Sequence, residues 1–322
     1  MRAQTRATRT RGVTEIGALI NRQAGGVRRN PAWTHRMQAM LPPGQVVVTS
    51  AAEEVVPALE RLRTIGVETL MVCGGDGTVG KTLTALLECW PEALRPRIVL
   101  APGGTVNTIA KSLGANADPV KLLERLVSGG PMRIETERPL LRARSAEGLV
   151  RAGMIFVNGV GVRFLRMYYE GARPGALGAA RVVARVVSSG LVSGRLAREM
   201  FSPAAVRIRV DDQALDYDHF TAMAAGTVRH IGIGFQPFSM ADRDPHRFHF
   251  AFSDAPSTRL VRELPALRRG RIRDDSCVEH HCAKRVTMEF DAPEPWSFDA
   301  DVYAPTCELT LDTTAPLRFC VP

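Results

Sequence analysis

The chain has 322 residues, a hydrophobic fraction of 45% and a charged fraction of 23%, the balance of an ordinary globular protein with enough length for two domains. Its net charge of +9 favours anionic partners such as a nucleotide or an acidic membrane face. An aromatic fraction of only 6%, with no recognisable binding module, argues against nucleic acid, and no apolar run reaches the roughly 18 residues that span a bilayer.

The first stretch, "MRAQTRATRTRG", is basic, Thr-rich and free of acids. Residues 1–12 read as a short disordered arm. The apolar segment of a secretory signal does not follow, although organellar transit peptides share this composition. From residue 13 to 138 strand-like and helix-like segments alternate. "VTEIGALIN" is an apolar run ending at Asn21, "RQAGG" a glycine-bearing turn, and "PAWTHRMQAML" a helix with Pro31 in its first turn. "QVVVT", Gln45–Thr49, is a β-branched strand. Ser50 and Glu53 have the spacing of a capping box before a helix with Val55, Leu59 and Leu62 on one face. "TLMVCGG", "VGKTLTALLE", "RIVLA", "PGGTVNTIAKSLG" and "DPVKLLERLVSGG" continue the alternation. Such spacing predicts a parallel sheet covered on both faces.

From about residue 139 to 314 the texture changes to short strands separated by Gly, Pro and Asp, among them "LVRAGMIFVNGVGV", "HRFHFAFS", "KRVTMEFD" and "CELTLDT". Helical periodicity is confined mainly to 176–200 and 258–269. This half is expected to be a β-rich second domain. The six cysteines are scattered singly except in "CVEHHC", Cys277 to Cys282, so reduced thiols and a cytoplasmic setting are expected. That cluster fits no standard zinc-finger spacing and is expected to be a strand ending in a turn.

The chemistry concentrates in residues 70–88. Gly75 to Thr82, G-D-G-T-V-G-K-T, satisfies the P-loop pattern, in which Lys81 would face phosphate and Thr82 would hold magnesium. A P-loop needs a second apolar strand ending in Asp, and the next strand, "RIVLA", ends in Pro-Gly-Gly instead. The same residues open with G-G-D-G-T, Gly74 to Thr78, and a second Gly-Gly-Thr turn, Gly103 to Thr105, follows one strand–helix unit later. Two such turns on parallel strands would meet at one carboxyl edge of a sheet and surround a polyphosphate with backbone N–H groups. Asp76 among phosphates implies magnesium or a directed hydrogen bond.

G-G-D-G-T followed by P-G-G-T-x-N-x-x-A-x-x-L-G, with Asn21 and Gly25 as an N-terminal N-x-x-x-G, resembles the diacylglycerol kinase catalytic-domain family. That family includes bacterial diacylglycerol and related lipid kinases and the sphingosine and ceramide kinases, with NAD kinases as distant relatives. The resemblance implies a doubly wound α/β nucleotide-binding domain over residues 13–138 and a C-terminal β-sandwich-like domain. The last strand, about 315–322, is expected to return to the first domain. It implies ATP and Mg2+ as cofactors, with ATP held by Asn21, Gly25, Thr49, Gly74, Gly75, Asp76, Gly77, Thr78, Gly103, Gly104, Thr105 and Asn107, and the metal reached from Asp76 through ATP. The family's catalytic base lies in an Asp-Gly-Glu motif. Here "WSFDADVYAP" places Asp301 at the base position with Asp299 beside it, both carboxylates facing one cleft if the chain is extended. Ala300 stands where the family has a Gly, and Asp301 is one methylene shorter than Glu.

The segment 171–198 has arginines and no acids. Val182, Val183, Val186, Val187 and Leu191 form an apolar side flanked by Arg181 and Arg185, suited either to peripheral contact with an anionic membrane or to packing on the β-rich domain. The expected function is an ATP- and Mg-dependent lipid kinase acting on a neutral lipid, cytoplasmic and peripherally membrane-associated, for which a homodimer is compatible. A soluble-acceptor kinase of the NAD kinase type, or a non-catalytic nucleotide- or lipid-binding protein, stands as the alternative.

Overall fold

The computed structural model describes residues 15–171, 176–191, 194–232 and 234–322. The basic arm expected over residues 1–12 lies outside the described residues. Strands β1 (Ile16–Asn21), β2 (Val46–Thr49), β3 (Thr69–Gly74) and β4 (Arg97–Pro102) form a parallel sheet in the order β2-β1-β3-β4. All six residues of β3 and the first five of β1 are buried, as strands covered on both faces must be. The last strand of the chain, β17 (Leu317–Val321), pairs parallel to β4, and β5 (Ile134–Arg138) adds an antiparallel edge.

The helices are α1 (Gly25–Arg29), α2 (Ala32–Met40), α3 (Val55–Ile65), α4 (Asp76–Cys89), α5 (Thr108–Ser112) and α6 (Pro119–Val127). α3 packs on α4, and α2 on α6. The chain moves one way from β1 to β2 and the other way from β2 to β3. Right-handed crossovers therefore put α2 and α3 on opposite faces, a doubly wound arrangement. Val55, Leu59 and Leu62 are the buried side of α3, as their spacing predicts. The cap before it differs in detail: a short 3₁₀ turn over Ala52–Glu54 precedes α3, and the Ser50 N–H donates to Glu54 at 2.7 Å rather than to Glu53.

The second half is antiparallel. Its main path is β14-β13-β12-β8-β15-β16-β6-β7, formed by β6 (Leu141–Ser145), β7 (Val150–Gly153), β8 (Ile155–Gly159), β12 (Ala222–Gly226), β13 (Phe248–Ser253), β14 (Glu279–Ala283), β15 (Arg285–Phe298) and β16 (Asp301–Thr313). β9 (Ala204–Val210), carrying two short partners, pairs with the first part of β15, while the last part of β15 pairs with β8. Register shifts between Glu289 and Trp296 separate these two pairings, so the strands bend around one core like a sandwich without a break into separate sheets.

Helices α7 (Val160–Glu170), α8 (Ala176–Leu191), α9 (Arg195–Met200) and α10 (Ser257–Arg268) complete this half. α7 falls partly in a stretch that reads as strand, "LVRAGMIFVNGVGV". Gly159 at φ 61° ends β8 there, and the chain enters a helix. "CVEHHC" contributes the edge strand β14, where His280 hydrogen-bonds to buried His249 at 2.8 Å between the ring nitrogens. Among the described residues no group of three or more His, Cys, Asp and Glu is placed to hold a metal ion, and no helix is long and apolar enough to cross a membrane.

Candidate active site

The site forms where the strand order reverses, between the carboxyl ends of β1 and β3. Asn21 ends β1 opposite Thr49 of β2, and its Nδ2 donates to Thr78 Oγ1 at 2.8 Å across the switch point. The two glycine-rich turns meet backbone to backbone. Gly103 N–H donates to Gly74 O at 3.0 Å, Gly26 N–H donates to Gly103 O at 2.8 Å, and a Cβ on Gly104 would run into Gly75 Cα. Gly25 faces the second turn from α1, where a Cβ would lie 2.5 Å from Thr105 Oγ1. Only glycine permits this approach, and the result is a cradle made of main chain.

Asn107, at φ 58°, closes the second turn, its Oδ1 accepting from Gly104 N–H at 2.6 Å and its Nδ2 donating to Gly104 O at 3.1 Å. Asp76 ties the two turns together. Its carboxylate accepts from the N–H groups of Thr108 and Ile109 at 3.0 and 2.9 Å, capping α5. Burial raises its pKa, and those N–H bonds oppose the rise. The directed hydrogen bond anticipated for Asp76 is therefore present, made by the backbone N–H groups of Thr108 and Ile109 together with the Thr108 hydroxyl.

The P-loop reading does not survive. α4 begins at Asp76, so Gly77 to Thr82 is helix and not a wrapping loop. Thr82 is fully buried, out of reach of a metal, and Gly80 packs on Asp299, where a Cβ would lie 2.9 Å from Oδ2. Lys81 has a different partner from phosphate: its Nζ lies 3.3 Å from Asp301 Oδ2.

Asp299 and Asp301 do not face one cleft as an extended chain would have them. Asp299 and Ala300 are the two central residues of the hairpin joining β15 to β16, at φ 46° and 73°, and the turn sends the carboxylates apart. Asp299 is 3% exposed. Its Oδ1 accepts from Met154 and Ile155 N–H at 3.0 and 2.9 Å. Burial pushes its pKa to about 8 against those bonds, with the charges of Asp76 and Asp301 adding to the rise. Its place is inside the wall that carries the hairpin. Asp301 stays accessible and hangs over the start of α4, where a Cβ on Gly77 would be 3.1 Å from its Oδ1. Residues from the two ends of the sequence thus converge on one point.

Several neighbours carried no local signal. Tyr169 on α7, 54% exposed, donates its hydroxyl to Ala300 O at 2.8 Å, and desolvation of that hydroxyl against the hairpin, with Asp301 nearby, raises its pKa to about 12. Arg29 Nη1 lies 3.6 Å from where a Cβ on Gly25 would be, which puts a guanidinium beside the Thr105 turn. Asp242, in the loop between β12 and β13, is held by Arg138 and Arg229. Two arginines supply the positive charge there.

A cavity of about 340 Å³ runs from this site into the β-rich half, with Asp76, Thr108 and Ala300 at one end. Strand alternation creates it. Phe156, Phe248 and Phe250 face the second core, whereas Val157 of β8, Ala222 and Ala224 of β12 and Ala251 of β13 line the cavity. Alanines on that face leave space that α7, α8 and α10 roof over rather than fill. Val183 and Val186 of α8 turn into it while Arg181 and Arg185 are exposed. The side chains of Val187 and Leu191 lie outside the described residues.

This arrangement defines a nucleotide-type α/β fold joined to an antiparallel domain that holds an apolar cavity. Residues 15–138 match the diacylglycerol kinase catalytic domain. Its sequence is similar to the probable lipid kinase YegS of Escherichia coli O127:H6, 33% identical over 90 residues covering 28% of this chain and 30% of that one. It is also 35% identical over 80 residues to the probable lipid kinase YegS of Salmonella heidelberg, covering 25% and 26%. The aligned part therefore spans less than a third of either relative. Across the full length the fold is that of two solved structures from Bacillus anthracis str. Sterne. One is a diacylglycerol kinase with a TM-score of 0.63 at 14% identity, covering 96% of this chain and 97% of the other. The second is a putative diacylglycerol kinase with a TM-score of 0.69 at 15% identity, covering 96% of each chain.

Proposed function

We propose that the protein is an ATP- and Mg-dependent lipid kinase that phosphorylates the hydroxyl of a neutral lipid, diacylglycerol foremost. The observation that carries this reading is the apolar cavity opening at Asp76 and Ala300, beside Asp301 and the main-chain cradle. A soluble acceptor such as NAD has no use for a cavity lined by Val157, Phe164 and Ile231.

The residues present fit the nucleotide and its metal. Glycine at 74, 75, 103 and 104 lets the two turns pack main chain against main chain, the kind of backbone edge that would receive phosphate oxygens. Magnesium commonly takes one or two carboxylates plus substrate phosphates, and Asp76 and Asp301 are the carboxylates at hand. Bound there, the metal would neutralise charge on the transferring phosphoryl group. Asn21 and Thr78 fix the wall between β1 and β3. Asp301 takes the proton of the lipid hydroxyl, Lys81 holds its carboxylate toward α4, and Asp299 anchors the hairpin from within. The exposed arginines of α8 would meet an anionic membrane face while its valines cover the lipid.

Purified protein with magnesium and labelled ATP, offered mixed micelles of diacylglycerol, ceramide, a sphingoid base and phosphatidylglycerol with NAD as a soluble control, tests the reading. Label is expected in diacylglycerol, reduced at least ~100-fold by Asp301→Ala or Asp76→Ala. Label in NAD, or in no acceptor, would overturn it.

A further inference from the structure

The hairpin that carries Asp301 is built on a strained turn. Asp299 and Ala300 hold φ at 46° and 73°, where each Cβ crowds the backbone, so the turn keeps its shape only where its surroundings fix it. On the Asp299 side the hold comes from the start of β8 and the residue before it. The Asp299 N–H donates to Ile155 O at 2.9 Å, and its carboxylate accepts from Met154 and Ile155 N–H. On the Ala300 side the hold is the Tyr169 hydroxyl, which donates to Ala300 O at 2.8 Å. That carbonyl belongs to the planar peptide unit shared with Asp301. The phenol therefore grips the unit from which Asp301 departs.

α7 delivers Tyr169 to this point. The helix packs on β15 and β16, and its Val160, Phe164 and Leu165 line the cavity. Tyr169 is four residues beyond Leu165 and on the same side of the helix, one turn past the apolar lining, at the end of the cavity where Ala300 lies. Its ring is tilted against Tyr168, with centroids 5.3 Å apart, and its hydroxyl feels the charges of Asp301 and Asp76. The side chain is more than half open to solvent, so removing its hydroxyl should change the folding free energy little. What the bond constrains is direction. Tyr169 fixes the turn from one side, and Lys81 draws the Asp301 carboxylate toward α4 from the other.

Resting on the lipid-kinase reading above, we infer that Tyr169 is a positioning residue for the reaction: its hydroxyl clamps Ala300 O and so keeps Asp301 aimed at the lipid hydroxyl. The clamp offsets the strain of an alanine in a turn that glycine would enter freely. Tyr169→Phe keeps the ring and removes only the donor.

The test measures lipid phosphorylation and backbone hydrogen exchange in the full-length protein, as wild type, Tyr169→Phe, Ala300→Gly and the double variant. With diacylglycerol in mixed micelles, Tyr169→Phe should lower kcat by roughly 10- to 100-fold, leave KM for ATP and lipid nearly unchanged, and unfold at nearly the same temperature. Amides of residues 299–302 should exchange roughly 5-fold faster, with the rest of the sheet unchanged. Adding Ala300→Gly should shrink both effects, since glycine holds this turn without the clamp. Wild-type kcat in Tyr169→Phe, or a loss of the same size in the Ala300→Gly background, overturns the clamp while the kinase reading stands. If the wild type phosphorylates no lipid, the kinase reading fails and exchange alone decides the clamp. Faster exchange confined to the turn supports it, and unchanged exchange overturns it in either case.

Discussion

Lys81 Nζ and Asp301 Oδ2 lie 3.3 Å apart, and this ion pair is a direct link between the first helix after the G-G-D-G-T turn and the hairpin of the β-rich half. Both side chains are partly open to solvent, so the pair adds little to stability. Its value is positional: it fixes the carboxylate assigned to the lipid hydroxyl against the helix start, where phosphate charge would gather. Lys81→Met is expected to lower kcat by roughly 10- to 100-fold, leave the melting temperature within a degree or two, and leave nucleotide binding nearly intact. Lys81→Arg should restore much of the rate. Wild-type kcat in Lys81→Met would remove Lys81 from the reaction.

Ala300 holds φ at 73°, a region that penalises any Cβ by about 1–2 kcal/mol and that glycine enters freely. With Asp299 also at positive φ, the pair meets the demand of a type I′ hairpin, for which Asp-Gly is a preferred sequence. Ala300→Gly should therefore stabilise the protein by about 1 kcal/mol in chemical denaturation without loss of turnover. A destabilised variant would mean that the Cβ makes contacts worth more than the strain.

Asp299 gives a pH signature. Its folded pKa of about 8 lies above the ordinary 3.8, so the folded state holds a proton between those values that the unfolded state has released. The contribution of this group to stability is complete below about pH 4 and is lost as pH rises through 8. Asp299→Asn, neutral throughout, should gain on the wild type as pH goes from 5 to 9. Melting curves of both proteins across that range should show the gap moving in favour of Asn. A gap that stays constant would place the titration elsewhere.

The pattern of the first half is local and therefore legible in sequence. Apolar strands alternate with helices whose buried faces recur at helical spacing, and the two Gly-Gly turns sit at strand ends because only glycine lets Gly104 approach Gly75. Those features follow from the chain, whereas the return of β17 to the first sheet was implied only by the family resemblance. The roles within "FDAD" do not. Period-two alternation puts Asp299 and Asp301 on one side, but the turn between them reverses the chain. One carboxylate then meets the N–H groups of Met154 and Ile155, and the other meets Lys81. α7 was hidden for a related reason, since its first residues are as β-like as the strand before it and Gly159 alone marks the break.

What the sequence determined by itself, then, is the phosphate-facing edge: its residues are close in the chain, and their type and spacing already dictate backbone geometry. What only the tertiary structure decided is the acceptor side. Lys81 meets Asp301, and alanines on β12 and β13 open a cavity. Each of these depends on which face of a strand meets which distant element, and a strand's alternation says that a residue points inward without saying what waits there.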